Sequence, residues 1–304
     1  MNILHLKYAV EVGKTHSINK AAQNLYMGQP NLSRAIKDLE ESLGITIFNR
    51  TTRGIFVTPQ GEEFLQHAKK ILSQIDEVEA MYNQENNIKQ KFSISVPRSG
   101  YFSHVFSRFV KNVDITKPIE FFYRETNSMR VINNILHADY NLGVIRYAEI
   151  HDKYFKKMMG DKGFVHEVIT EFTHDIAMSK NHPLAEKEEI DISDLDEFIE
   201  IAYADPYVPS LPFSVVKKEE LPDNIDKRIL VFERSSCIDL FNTVHGAFMQ
   251  VYPDVNEIPE GHGLVQRPCK SNKKVYKDVL IYRNDYQLTS LDIQFISEMK
   301  KVKK

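Results

Sequence analysis

Residues 17–61 read SINKAAQNLYMGQPNLSRAIKDLEESLGITIFNRTTRGIFVTPQG, and this stretch decides the fold of the N-terminal part of the chain. Ser17 is a typical helix N-cap residue and predicts the start of a short helix. After a tight turn, Pro30 suits the first position of the next helix, which is expected to end at Gly44. Helix, short turn and helix in this order predict a helix-turn-helix motif over residues 18–43.

The second helix of this motif keeps its apolar side chains on one face and leaves polar ones on the other. Residues 46–58 then predict two short strands joined by a tight turn, a wing with two arginines at its tip. Within residues 1–60, seven Lys and Arg stand against four Asp and Glu, although the whole chain has a net charge of −3. A basic head on an acidic chain favours contact with nucleic acid.

The polar face carries the side-chain types that read DNA. Glutamine pairs with adenine and arginine with guanine, while serine and lysine suit phosphates. The alternative is an ordinary solvated helix face, which the added turn and wing make less favourable. The predicted DNA-binding residues are Gln29, Pro30, Asn31, Ser33, Arg34, Lys37, Arg50 and Arg53.

A single long helix is predicted over residues 59–90. Its apolar residues are spaced 4, 3, 4, 3 and 4 apart, which is the seam of a coiled coil. One helix cannot cover such a seam alone, so we expect a partner helix from a second copy of the chain. The alternative is packing onto the protein's own core. The predicted dimerisation residues are Phe64, Ala68, Ile71, Ile75, Val78 and Tyr82.

Residues 91–304 alternate between predicted strands and helices, which indicates an α/β fold with mostly parallel sheets and ligand clefts at the strands' carboxyl ends. Residues 164–172 and 175–179 are expected to pair with each other. Helices are expected over 211–220 and 238–245.

The chain resembles the LysR-type transcriptional regulators. The motifs that carry the resemblance are Ala21-Ala22, Gln29-Pro30, Leu32-Ser33, Leu39-Glu40, Leu43-Gly44, Phe48-x-Arg50 and Thr58-Pro59-x-Gly61. The resemblance implies an α/β chain with a helix-rich head: a winged helix-turn-helix DNA-binding domain (1–58), a linker and dimerisation helix (59–90), and an effector-binding domain (91–304).

That effector domain is expected to resemble periplasmic binding proteins. Lobe I would comprise about 91–162 and 268–304, and lobe II about 163–267. The expected partners are double-stranded DNA with an inverted-repeat site, a second copy of the chain in a dimer or tetramer, a small effector and, as a further candidate, RNA polymerase.

The effector site is predicted where strands end and helices begin. Ser and Thr residues there precede helices whose N-termini offer free N–H groups to an anion, and two arginines at strand ends could clamp a carboxylate. We therefore expect a small anionic effector. The alternative is that these are plain caps and surface charges. The predicted residues are Arg98, Ser99, Thr126, Ser128, Arg146, Ser235 and Ser236, with Tyr203 and Asp205 at the cleft edge.

Other classes of protein are less compatible with the sequence. We find no signal peptide and no apolar run of the ~18 residues a membrane helix needs, so a cytoplasmic protein is expected. Cys237 and Cys269 are expected to be inert thiols rather than a redox switch. No cofactor or metal motif is present, and we expect no enzymatic activity. The competing hypotheses are a ligand-binding module without DNA function and an enzyme on the two-lobed fold.

Overall fold

A computed structural model describes residues 2–51, 54–82, 89–221, 226–254, 257 and 261–301. The chain divides into two units, Met1–Ile88 and Lys89–Lys304. Within the described parts, no helix is both long and apolar enough to cross a membrane.

The first unit is a helical head with a two-stranded hairpin. Its elements are α1 (Ile3–Thr15), α2 (Ile18–Asn24), α3 (Gln29–Leu43), β1 (Phe48–Thr51), β2 (Gly54–Val57) and α4 (Pro59–Tyr82). The Ser17 side chain accepts a hydrogen bond from the Lys20 N–H and caps α2, as expected. Gly44 has a φ of +67° and ends α3 in the left-handed conformation that glycine adopts without strain.

The head's hairpin is fastened to its helices by polar contacts. The Glu40 carboxylate accepts hydrogen bonds from the Ile47 and Phe48 N–H groups at 2.7 and 2.9 Å. The Thr58 hydroxyl caps α4 by accepting from the Gly61 N–H. A Cβ atom on Gly61 would lie 2.3 Å from the Ile47 carbonyl oxygen, so only glycine allows this approach. These contacts give Leu39-Glu40 and Thr58-Pro59-x-Gly61 a structural role.

The second unit contains two five-stranded sheets. Its elements are β3 (Gln90–Pro97), α5 (Gly100–Lys111), β4 (Ile119–Thr126), α6 (Ser128–His137), β5 (Leu142–Ala148), α7 (Asp152–Asp161), β6 (Phe164–Thr173), β7 (Asp175–Ser179), β8 (Ile199–Tyr203), α8 (Phe213–Glu220), β9 (Arg228–Val231), α9 (Ser235–Thr243), β10 (Ala247–Val251), β11 (Leu264–Arg267), β12 (Val275–Arg283) and α10 (Ser290–Lys301).

The strand order is β4-β3-β5-β12-β6 in the first sheet and β11-β7-β10-β8-β9 in the second. Buried apolar clusters flank both sheets. The chain passes from the first sheet to the second after β6 and returns before β12. The two-lobed α/β fold class expected from the sequence is confirmed.

Several details differ from expectation. The sheets are mixed rather than mostly parallel, since β12 runs antiparallel to both its neighbours and β7 runs antiparallel to β10 and β11. The predicted pairing of 164–172 with 175–179 is wrong, because β6 pairs with β12 and β7 with the second sheet. The first lobe thus extends to Thr173, eleven residues beyond the expected boundary. A pattern of alternating residues shows that a strand exists but leaves its partner open.

Helix boundaries shifted as well. α8 begins only after Pro212, and α9 runs over 235–243 because Val244 adopts an extended conformation. The sequence prediction missed α7, β8 and β11.

Candidate DNA-binding face and ligand cavity

The N-terminal half of α3 presents polar side chains to solvent. Leu32, Ile36 and Leu39 are fully buried in the head's core and fix the orientation of the helix. Ser33 is half-buried. The remaining predicted residues of this face are all exposed: Gln29, Pro30, Asn31, Arg34 and Lys37.

The charge distribution along α3 suits an anion at its start. The first turn contains no acidic residue, and Gly28 at the N-cap offers no side-chain oxygen to the helix N–H groups. The positive end of the helix dipole is therefore not compensated locally. The acidic residues of α3 lie towards its other end, where Lys37 Nζ is 3.4 Å from Glu41 Oε1. Both side chains are exposed, so this pair holds the lysine only weakly.

Tyr26 was missed by the sequence reasoning. It occupies the turn just before α3, is 97% exposed and has a φ of +51°. Burial does not explain an aromatic ring held in this conformation at the surface, and a phenol can donate a hydrogen bond to a phosphate. An aromatic residue in the turn of a helix-turn-helix was the signal that could have identified it.

The wing forms where it was predicted. Its strands pair from Phe48 with Val57 to Thr51 with Gly54. The Ile55 N–H donates to the His16 carbonyl oxygen at 3.3 Å and fastens the wing to the α1–α2 turn. Arg53 and the side chain of Arg50 lie outside the described residues, so their contact with DNA stays a prediction.

The apolar seam of α4 is buried in the head at its N-terminal end and more exposed towards its C-terminal end. Ala68 is buried in the head, and its neighbour Leu65 packs closely against Gly13 of α1. This half of the helix packs onto its own unit, as the alternative reading proposed. Phe64, Ile71 and Ile75 are half-buried, whereas Val78 is 53% exposed. The side chain of Tyr82 lies outside the described residues. Pairing with a second copy stays a prediction.

A cavity of about 250 Å³ lies in the second unit, between its two lobes. Six of the nine predicted effector residues line it: Arg98, Thr126, Ser128, Arg146, Tyr203 and Asp205. Ser99 lies just outside the lining, and Ser235 and Ser236 are exposed at the start of α9. Residues at or near the carboxyl ends of β3, β4, β5 and β8 therefore converge on this cavity, as the sequence predicted.

The arginines of this cavity already have carboxylate partners. Arg98 forms a two-pronged ion pair with Asp205, with N–O distances of 2.9 and 3.0 Å, and its guanidinium stacks 4.8 Å from the centre of the Tyr203 ring. Asn127 also donates to Asp205 at 2.9 Å. Arg146 pairs in the same way with fully buried Asp278, at 2.7 and 2.8 Å.

A third ion pair at the cavity joins two residues that were not among the predicted effector residues. Arg234, at the start of α9, binds Glu125 at the end of β4 with N–O distances of 2.8 and 3.0 Å. Arginine and carboxylate in this geometry form two parallel charge-assisted hydrogen bonds, although the Arg98 Nε is buried without a partner among the described residues. The structure thus corrects the expectation that Arg98 and Arg146 are free to clamp an effector carboxylate. Their partners come from elements distant in sequence.

The two predicted effector-site serines at the starts of α5 and α6 also form hydrogen bonds within the chain. The Ser128 hydroxyl donates to the Arg146 carbonyl oxygen and accepts from the Arg146 N–H. The Ser99 hydroxyl donates to the carboxylate of Glu257. The Thr126 hydroxyl is buried without a hydrogen-bond partner among the described residues. Of these three side chains, Thr126 alone has a hydroxyl without a partner among the described residues.

Burial sets the protonation states around the cavity. It raises the pKa of Tyr252 to about 12 and that of the Cys237 thiol to about 11. It also lowers the pKa of His174 to about 3, helped by the positive charges of Arg146 and Lys274. Phenol, thiol and imidazole are therefore neutral at neutral pH, and the reactive thiolate of Cys237 is disfavoured. In the described part of the chain, no three His, Cys, Asp or Glu side chains cluster as a metal site would require.

Comparison with known proteins agrees with this architecture. Residues 3–62 match the family model of the bacterial regulatory helix-turn-helix proteins, lysR family. The transcriptional regulator BenM of Acinetobacter baylyi is 39% identical over 94 residues, 31% of each chain. AlsR of Bacillus subtilis is 29% identical over 69% of this chain and 67% of its own. The alignments with the first two curated relatives span less than a third of those proteins.

The fold likeness extends over the whole chain. Full-length OxyR from Pseudomonas aeruginosa superposes with a TM-score of 0.67 at 14% identity, covering 100% of this chain and 96% of OxyR. Residues 3–62 thus match the lysR family of bacterial regulatory helix-turn-helix proteins in sequence, and the chain as a whole shares the fold of full-length OxyR.

Proposed function

We propose that the protein is a sequence-specific DNA-binding transcriptional regulator controlled by a small-molecule effector. Residues 1–58 bind DNA, residues 59–90 join two copies, and residues 91–304 hold the effector between their lobes. The observation that carries this proposal is α3, with its exposed Gln29, Arg34 and Lys37 and its acid-free first turn. The relatives' printed names, which describe HTH-type transcriptional regulators, support it.

The head docks with α3 in the major groove. Gln29 and Arg34 read base edges, while Ser33, Lys37 and the wing arginines contact the backbone. A dimer joined through α4 reads two half-sites of an inverted repeat. The effector shifts the balance between lobe arrangements and so changes how the paired heads lie on DNA. The protein acts in the cytoplasm, and RNA polymerase is a further candidate partner.

The test is capture of sheared genomic DNA from the source organism on the purified full-length protein at near-physiological salt, followed by sequencing. The expected result is enrichment of a few fragments that share an interrupted inverted repeat. Uniform retention that vanishes with added salt, both with and without candidate metabolites, contradicts the proposal. It would favour the alternative of a ligand-binding module whose head does not read sequence.

A further inference from the structure

Tyr26 follows helix α2 in the left-handed conformation. Its N–H donates to the Gln23 carbonyl oxygen at 3.1 Å, and the Met27 N–H donates to the Ala22 carbonyl oxygen at 3.0 Å. These two bonds form a Schellman motif, in which the residue at the position of Tyr26 has a positive φ and is usually glycine. Tyrosine has a φ of +51° there, which its Cβ atom makes unfavourable. The turn therefore keeps a strained aromatic residue where glycine would be free of strain.

Packing within the head does not account for this tyrosine. Its neighbours Leu25 and Met27 pack against the head's core, so Tyr26 between them points outward. The side chain is 97% exposed, and it makes no hydrogen bond or ring contact with any described residue. A strained residue that adds no contact to its own fold indicates a role towards a partner.

The surface around Tyr26 suits a polyanion. Residues 12–37 contain four Lys and Arg residues but no Asp or Glu. The exposed surface continues from the turn into α3, because residues 28–31 are exposed as well. The N-terminal residues of a recognition helix contact base edges while the helix before it crosses the DNA backbone, so the turn between the two helices lies beside a phosphate strand. Tyrosine is among the side chains that hydrogen-bond to phosphates.

We propose that Tyr26 is a DNA-positioning residue whose phenol hydroxyl donates a hydrogen bond to a backbone phosphate beside the half-site that α3 reads. The contact is uncharged and independent of base sequence, so it fixes the position of α3 in the groove without selecting bases. The role assigned to Tyr26 rests on the proposed DNA-binding function and adds a residue outside those predicted from the sequence. Stability lost to the strained turn is exchanged for a contact with DNA.

Two variants of the full-length protein separate the hydroxyl from the fold. Tyr26→Phe removes only the hydroxyl, whereas Tyr26→Gly removes the side chain and relieves the backbone. Both are expected to bind the operator enriched by genomic capture, and an unrelated duplex of the same length, roughly three- to tenfold more weakly than wild type. The Tm of Tyr26→Gly is expected to equal or exceed that of wild type, because glycine adopts a positive φ freely. The salt dependence should not change, because a neutral phenol releases no counterions.

Ser210→Gly is the matched control, because Ser210 is an exposed residue of the second unit with a φ of +64°. This variant is expected to bind both DNAs as tightly as wild type. The proposal is overturned by wild-type affinity in Tyr26→Phe, by a loss confined to the operator, or by a Tm of Tyr26→Gly well below that of wild type. Equal weakening by Ser210→Gly also overturns it, because the backbone rather than the phenol would then be responsible.

The two DNAs also separate this proposal from the regulator function. Wild type that binds the operator no better than the unrelated duplex, with both Tyr26 variants weaker on each, keeps the phosphate contact and rejects sequence-specific regulation. Wild type that selects the operator, with Tyr26→Phe equally tight, keeps the regulator function and rejects the contact.

Discussion

The head and the second unit use their charges in opposite ways. On α3, Arg34 and Lys37 are exposed at a helix whose first turn carries no acid. In the cavity, Arg98, Arg146 and Arg234 are each bound in a two-pronged pair with a carboxylate of the same chain. Exposed cations attract an external polyanion, whereas a buried cation paired with a carboxylate is costly to separate from its partner. The difference indicates that the cations of α3 are available to an external anion, whereas the arginines of the cavity are already neutralised by carboxylates of the same chain.

The largest expected effect is on stability and concerns Arg146. Replacing Arg146 by Met leaves Asp278 buried without its partner, and breaking a buried pair in this way costs about 3–5 kcal/mol. Denaturant unfolding of the full-length protein measures it. The matched control, Arg146→Met with Asp278→Leu, should recover most of the loss. A single variant as stable as wild type would show that the cavity's pairs are dispensable.

The second effect concerns sequence reading by Arg34. Arg34→Ala is expected to cost about 1–3 kcal/mol in binding to the enriched operator, with a much smaller loss on unrelated DNA. Lys7→Ala removes one charge from an exposed position on α1 and serves as the control. Competition binding measures both. Equal losses on the two DNAs would reassign Arg34 to the phosphate backbone.

The third prediction uses pH. His174 has its pKa lowered to about 3 in the folded protein. The unfolded chain therefore binds a proton that the folded chain excludes, and stability falls as the pH drops from about 6.5 towards 3. The expected slope from this group is at most about 1.4 kcal/mol per pH unit.

His174→Gln removes this contribution, so its stability should depend less on pH in that range. Glu257 acts in the opposite direction, because burial raises the pKa of its carboxyl. The difference between wild type and His174→Gln, measured by unfolding at several pH values, isolates the histidine. If the stabilities of wild type and His174→Gln changed with pH in parallel, His174 would not contribute to the pH dependence.

The smallest effect is expected at Lys37. Its Nζ lies 3.4 Å from Glu41 Oε1, and both side chains are exposed. Lys37→Ala should therefore weaken operator and unrelated DNA alike, by less than about 1 kcal/mol. A selective loss on the operator, seen in the same competition assay, would give Lys37 a base-reading role.

The sequence predicted the head better than the cavity, for a physical reason. Ser17 as a cap, Gly44 as a helix end and the outward face of α3 follow from local spacing and backbone preference, because surface residues need no tertiary partner. Within α3, the first residue differed, since the helix begins at Gln29 rather than Pro30.

In the second unit, strand-end reasoning identified Arg98 and Arg146 but not what they bind. Arg98 meets Asp205 across 107 positions of sequence, and Arg146 meets Asp278 across 132. No local pattern specifies such pairs. Nothing around Glu257 in the sequence marks it as a buried carboxylate, because its burial is imposed by the approach of two distant segments at Gly100. The sequence therefore identified the charged residues of the cavity but not the residues with which they pair.

The salt dependence of operator binding tests the central contrast most directly. The logarithm of the binding constant should fall steeply with the logarithm of salt concentration, by about 0.9 for each phosphate contact. Arg34→Ala should lower operator affinity, whereas Arg124→Ala, which removes an exposed arginine from the second unit, should leave both affinity and slope unchanged. A flat salt dependence, or equal effects of the two variants, would contradict the assignment of DNA binding to α3.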